Sequence, residues 1–305
     1  MLQWIGQVVQ GYEQRYVEYR KAIDASATFY TAHGFRLMML MGYACGRYWP
    51  RPEHSPYGDI DIWLFGKQKE ADVILAKETG IVIDSSHHHH TVFNWMGFTV
   101  ENHYDFVNVY ARQSSAVMEK VFKELWRTED AVLCHTDSTD NTDIYLPSAN
   151  IHALFLLKHS VSHFVGANIN LRQVLDWAFF VEKHTDEIDW EWLNGMIDRF
   201  HMRDFVYCIN AICVEDLGFQ PVESLKFRVE SQLESLEFRK LKDRVFSDIL
   251  EPAFTAVSPK LLIPRTIFKY KRWKGNGWKH KLCYGTSRWD GFWTLLMSHL
   301  MKPKV

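Results

Sequence analysis

The chain has 305 residues, 47% of them hydrophobic and 24% charged, with a formal net charge of −2, and so reads as soluble and globular with material for one large or two ordinary domains. No apolar run approaches the ~20 residues of a membrane-spanning helix, and MLQWIGQVVQG lacks the charged start and apolar stretch of a signal peptide, so a cytoplasmic location is expected. Cys45, Cys134, Cys208, Cys213 and Cys283 form no CxxC pair, which excludes a cysteine zinc site of that spacing and argues against a disulfide framework.

In chain order, Tyr16, Tyr19, Ile23, Ala27 and Tyr30 recur at helical spacing and predict a helix through about Ala32. His33-Gly34 breaks it, and FRLMMLMG suits a buried strand. YACGRYWPRPEHSPYG, with its three prolines, is expected to be mostly turn and loop. DIDIWLFG reads as a second strand, and KQKEADVILAKETG as an amphipathic helix closed by Gly80. HHTVFNW and FTVENHYDFVNVY predict a hairpin with Gly97 in the turn. A helix around SAVMEKVFKELWR follows, then a second hairpin from AVLCHT and DIYL. From Ser148 onward the patterns are successively helical, as in ANIHALFLLKHSVSHFVG and LRQVLDWAFFVEKH. The expected fold class is α+β, a mixed sheet with flanking helices followed by a helical C-terminal half. Three parts are expected: 1–147, 148–257 and a basic aromatic segment, 258–305.

Asp59 and Asp61 carry the chemistry of this reading. On a strand they project to one face while Ile60 and Ile62 anchor the other, and two carboxylates so close repel unless a cation sits among them. A strand-borne DID pair with another acidic strand beyond it is the layout of a two-metal phosphoryl-transfer site. In VENHYDF, Glu101, His103 and Asp105 alternate, so either acid is a candidate third ligand. His87 to His90 read as a solvated loop or strand start, with adventitious metal binding second, because consecutive strand residues cannot all face one metal. His159 and His163, one helical turn apart, could share a metal but are better suited to a structural or substrate-facing role. Arg172 and Asp176 have the spacing of a helix-surface ion pair.

These motifs together resemble an uncharacterised nucleotidyltransferase family within the DNA polymerase beta-type nucleotidyltransferase superfamily. The resemblance rests on Gly42 in LMGYA, on Gly58-Asp59-Ile60-Asp61, on Glu101-Asn102-His103, on His159 with His163, and on Leu171-Arg172 with Asp176. It implies transfer of a nucleoside monophosphate from a nucleoside triphosphate, with ATP the expected donor, to an acceptor the sequence does not identify. It implies two Mg²⁺ ions, or Mn²⁺, held by Asp59, Asp61 and Glu101, with Asp105 as the rival third ligand. Nucleotide contacts would fall at Gly42, Tyr43 and Gly58, with Arg172 a further candidate, and His103, His159 and His163 would face substrate. Relatives commonly carry a small residue after the glycine, Lys before it and Arg before the acid pair; here Tyr43, Met41 and Ser55 are found. Arg47, Arg51 and the basic segment are the candidate replacements.

From Ser258 onward the charge is +10 against −12 for the preceding residues, and RTIFKYKRWKGNGWKHKLCYGTSRW interleaves cations with aromatics. That composition suits nucleic acid or an anionic membrane surface, and equally a segment folded back on the acidic remainder. Two alternatives therefore stand beside the enzyme: a catalytically inactive binding or regulatory protein of the same fold, and a nucleic-acid-associated protein acting through this segment.

Overall fold

Tyr19, Ala22, Ile23, Ala27 and Tyr30 recur at three- and four-residue intervals, and they form the buried side of α1 (Leu2–Ala32). The structure, a computed structural model, describes residues 2–109, 112–128, 132–135, 143–166, 168–221, 235–253, 262–287, 289–290 and 292–293. The chain divides into two compact units between His152 and Ala153.

In the first unit six strands form one mixed sheet. They are β1 (Leu37–Met39), β2 (Ile60–Trp63), β3 (His90–Trp95), β4 (Phe98–His103), β5 (Val132–His135) and β6 (Asp143–Leu146), in the order β3-β4-β2-β1-β6-β5. The pairs β2/β4 and β1/β6 are parallel; β1/β2, β3/β4 and β5/β6 are antiparallel. Alternation splits the sheet's residues into two sets. Leu37, Met39, Ile60, Ile62, Phe93, Phe98 and Val100 join α1 and α3 (Gln68–Thr79) in the hydrophobic core. Asp61, Trp63, Glu101, His103 and His90 belong to the opposite face. There Trp63 packs against Phe65, Phe106 and Trp126, the last on α4 (Gln113–Thr128), with ring centroids 4.8, 5.0 and 4.6 Å away.

A buried polar clamp fixes which residues take which face. The Asp72 carboxylate on α3 accepts hydrogen bonds from Thr91 Oγ1 (2.7 Å) and Asn102 Nδ2 (2.8 Å). Burial pushes its pKa up, and these two donors offset part of that cost. With Asn102 held to the core side, its neighbours Glu101 and His103 must emerge on the other.

The β3–β4 hairpin turns at Met96 and Gly97, both at positive φ (51° and 86°), the two-residue geometry that matches strand twist. Two elements differ from expectation. Tyr43–Gly46 is a short helical turn, α2, within the stretch read as loop. β4 ends at His103, two residues short of Asp105, because Tyr104 and Asp105 direct their N–H groups to the His89 carbonyl instead of continuing a ladder.

The second unit is helical: α5 (Ala149–Gly166, which begins in the first unit), α6 (Leu171–His184), α7 (Trp190–Arg199), α8 (Arg203–Ala211), α9 (Leu236–Leu250), α10 (Leu262–Gly275) and α11 (Gly277–Tyr284). Asn170 and Gln173 form a reciprocal cap that starts α6. Lys279 of the basic segment is buried, ion-paired with Asp248 of α9 and 4.4 Å from the Phe164 ring centroid. Part of this segment is thus structural, while Tyr270, Trp289 and Trp293 stay exposed. Residues 294–305, which include most of the apolar stretch expected to form a helix face, lie outside the described residues. Among the described residues, no helix is long and apolar enough to cross a membrane.

Gly42 links β1 to α2 at φ 56°, and a Cβ there would lie 2.5 Å from the buried Tyr19 hydroxyl and 3.1 Å from the Asp59 carbonyl oxygen. Gly42→Ala is expected to destabilise the fold by about 2–3 kcal/mol, combining left-handed backbone strain with overpacking. Urea unfolding measures this; an unchanged midpoint would show that Tyr19 moves aside at no cost.

Candidate functional site

Asp61 and Glu101 are register partners on adjacent parallel strands, so their carboxylates leave the sheet side by side. His103, the partner of Trp63 in the same ladder, places Nε2 at 3.2 Å from Asp61 Oδ1 and 3.7 Å from Glu101 Oε2. Its Nδ1 lies 3.3 Å from the Asp105 carbonyl oxygen. An imidazole facing an acceptor at each nitrogen satisfies both only when both carry protons. Burial acts to lower the His103 pKa, but the hydrogen bond and charge of Asp61, with the charge of Glu101, outweigh it and raise the value. Glu101 is pushed up to about 7, first by burial and then by the charge of Asp61, with a smaller contribution from Asp59.

His90 sits opposite His103 across the β3/β4 ladder, with ring centroids 5.1 Å apart, and places Nδ1 at 3.5 Å from Glu101 Oε2. Burial, and then His103 and His87, drive its pKa down to about 3, so the ring is neutral. Of the reading of His87–His90 as a solvated loop or strand start, the strand start holds at His90, while solvation is corrected for His90, which is buried, and for His88 and His89, which are half-buried. Strand alternation does not govern this run, because β3 starts only at His90 and residues 87–89 bend. The bend is tied down: Tyr104 Oη donates to the His87 carbonyl (2.8 Å), and the Tyr104 and Asp105 N–H groups donate to that of His89 (3.0 and 3.2 Å). Among the described residues, donor atoms of Asp61, Glu101 and His103 lie within 4.8 Å of one another, and so do those of His89, His90 and His103. This oxygen and nitrogen donor set fits a divalent cation.

Asp59 lies one residue before β2, is exposed, and follows Gly58 at the strand's mouth. Its carbonyl accepts from Tyr19 Oη at 3.4 Å, beside Gly42. Tyr43, next in the chain, is buried, and its hydroxyl accepts from Arg20 Nη1 (2.6 Å) and Arg47 Nη1 (2.8 Å). Both guanidiniums also lie by the Tyr43 ring, 4.8 and 5.5 Å from its centroid. Sequence reasoning named Arg47 but missed Arg20, whose only signal was its place one residue after the buried Tyr19 of α1.

Other expected residues go elsewhere. Asp105 is ion-paired with Lys123 on α4 and is outside both donor groups. Glu119 beside it accepts the N–H groups of Phe106 and Val107 (2.9 and 3.0 Å), with its pKa pushed up to about 7 by burial and then by the charge of Asp105. In the second unit, His159 and His163 pack ring on ring at 4.3 Å, and Arg172 Nε is 3.3 Å from Asp176 Oδ2. Neither histidine joins a metal-type donor group among the described residues.

A family model described as an uncharacterised nucleotidyltransferase matches residues 7–218. No curated protein and no solved structure gives a match.

The raised Glu101 pKa makes cation binding compete with protons. Below pH 7 its carboxyl holds a proton that must leave, so Mn²⁺ affinity is expected to rise between pH 6 and 8 by about tenfold for each proton displaced. Without metal, the folded state holds more protons than the unfolded one between the model-peptide value of 4.5 and about 7, so this group's contribution makes stability fall as pH rises through that window. Calorimetric titrations across pH test the first statement; Glu101→Gln should flatten the profile, and an unchanged slope would count against the assignment.

Proposed function

The chain belongs to the uncharacterised nucleotidyltransferase family, and from that membership we propose that it transfers a nucleoside monophosphate from a nucleoside triphosphate, ATP by preference, to an acceptor oxygen. The bond between the acceptor oxygen and the α-phosphorus forms, the bond from that phosphorus to the bridging oxygen breaks, pyrophosphate leaves with the electron pair, and the proton of an acceptor hydroxyl passes to solvent. The observation that carries this reading is the direct register of Asp61 with Glu101 on adjacent parallel strands, with Asp59 close enough to raise the Glu101 pKa.

Asp59, Asp61 and Glu101 are the residues that would hold Mg²⁺ or Mn²⁺. When bound, such ions lower the pKa of an acceptor hydroxyl and offset charge on the leaving pyrophosphate. His103 orients the Asp61 carboxylate through its hydrogen bond and holds a proton at Nε2 that it can give up. Arg20 and Arg47, gathered on the Tyr43 hydroxyl, supply cations that the family pattern draws from the positions of Met41 and Ser55. Gly42 keeps the backbone between them and Asp59 free of a side chain.

One observation favours a second reading, nucleotide binding without transfer: Tyr43 stands where the superfamily pattern has a small residue and is itself engaged by both arginines. Turnover separates the two. Asp61→Ala should abolish Mg²⁺-dependent release of pyrophosphate while circular dichroism remains that of the folded chain; turnover retained in this variant would refute the site. In calorimetry, Arg20→Ala and Arg47→Ala are each expected to weaken ATP·Mg²⁺ binding about tenfold, the scale of one charge-assisted hydrogen bond. Heat from ATP in the parent chain without any turnover would favour the second reading.

A further inference from the structure

His90 poses a problem that nucleotide transfer does not solve. Its side chain is 92% buried, and among the described residues neither ring nitrogen has a hydrogen-bond partner. A buried polar group left so is costly to the fold. The same ring is nonetheless surrounded by potential donors: His89 at 4.3 Å and His103 at 5.1 Å between ring centroids, and Glu101 Oε2 at 3.5 Å from Nδ1.

We propose that His89, His90 and His103, with Glu101 at their edge, form a binding site for a borderline transition-metal cation such as Zn²⁺ or Co²⁺. Three imidazoles and a carboxylate are a donor set that favours such ions over Mg²⁺, which takes oxygen ligands and keeps its waters. The donor atoms of the three histidines lie within 4.8 Å of one another, and ring rotation must bring them to the roughly 3.3 Å spacing of nitrogens around a tetrahedral ion. Much of the frame is already set. His103 turns Nδ1 toward the Asp105 carbonyl, the outer hydrogen bond that orients metal-ligating histidines, while Nε2 faces the carboxylates. The backbone of His89 is held by the two N–H groups that donate to its carbonyl. His103 and Glu101 also belong to the acidic group with Asp61, so an ion held here shares Glu101 with the carboxylates proposed to hold Mg²⁺. The assignment does not depend on the transfer reaction.

The test uses the full, tag-free chain, stripped by chelator and titrated with Co²⁺ while visible d–d absorption is followed, with no nucleotide present. A single equivalent should give the bands of a low-coordinate nitrogen-rich site, Zn²⁺ should displace it, and excess Mg²⁺ should not. His90→Gln and His89→Gln should each weaken Co²⁺ binding tenfold or more, and His87→Gln should leave it unchanged. Thermal melts of the metal-free variants check folding; if His90→Gln fails to fold, the half-buried His89 position carries the test. Displacement by Mg²⁺, wild-type affinity in the folded His89 and His90 variants, or loss only in His87→Gln would each overturn the proposal. Because this readout needs no turnover, its failure and failure of the transfer reading are told apart.

Discussion

Two carboxylates, Asp61 and Glu101, are held in register on neighbouring parallel strands, and much of the first unit's polar architecture follows from that conflict. Coulomb repulsion at this separation must be answered by a proton, a cation or a metal. His103 lies against both acids, its Nε2 3.2 Å from Asp61 and 3.7 Å from Glu101, and burial with the charge of Asp61 pushes the Glu101 pKa up to about 7. Carboxylate oxygens and imidazole nitrogens thus face a common space.

The surrounding fold keeps that conflict from relaxing. The core face of the sheet, filled by Ile60, Ile62, Phe98 and Val100, fixes the strands from behind. The Asp72 clamp grips Asn102 and Thr91 on that side. Trp63, Phe106 and Trp126 wall the donor face along one flank, and the bend carrying His89 closes another. The strands that carry the two acids are thus held by packed layers, so their closeness is built into the tertiary structure.

Much of this was legible in the sequence where periodicity and covalent order govern. Alternation in Ile60-Asp61-Ile62 and in Glu101-Asn102-His103 specified the faces, whereas Asp59 falls one residue before β2, and the hairpin at Gly97 and the cap at Gly80 followed from backbone chemistry. What could not be read depended on where strands stop and on partners distant in the chain. Asp105 shares the parity of Glu101 and His103, but the strand ends first and Lys123, eighteen residues on, claims its carboxylate. Arg20 meets Tyr43 only because α1 packs beside the turn after β1, a tertiary fact with no local signature. His90 was misjudged because its burial comes from pairing with His103 across the hairpin, whereas its own neighbours in the chain are polar.

The Asn102 side chain, held by Asp72, makes the length of β4 count in a binary way. Strand faces alternate with a period of two, so inserting or deleting one residue between Gly97 and Asn102 would reverse the whole segment. Glu101 and His103 would be driven into oil, and the amide would be stranded in their place. A change in length along this strand is therefore tolerated only where a bulge absorbs it, while Thr99, which is exposed, carries no such constraint on its side chain.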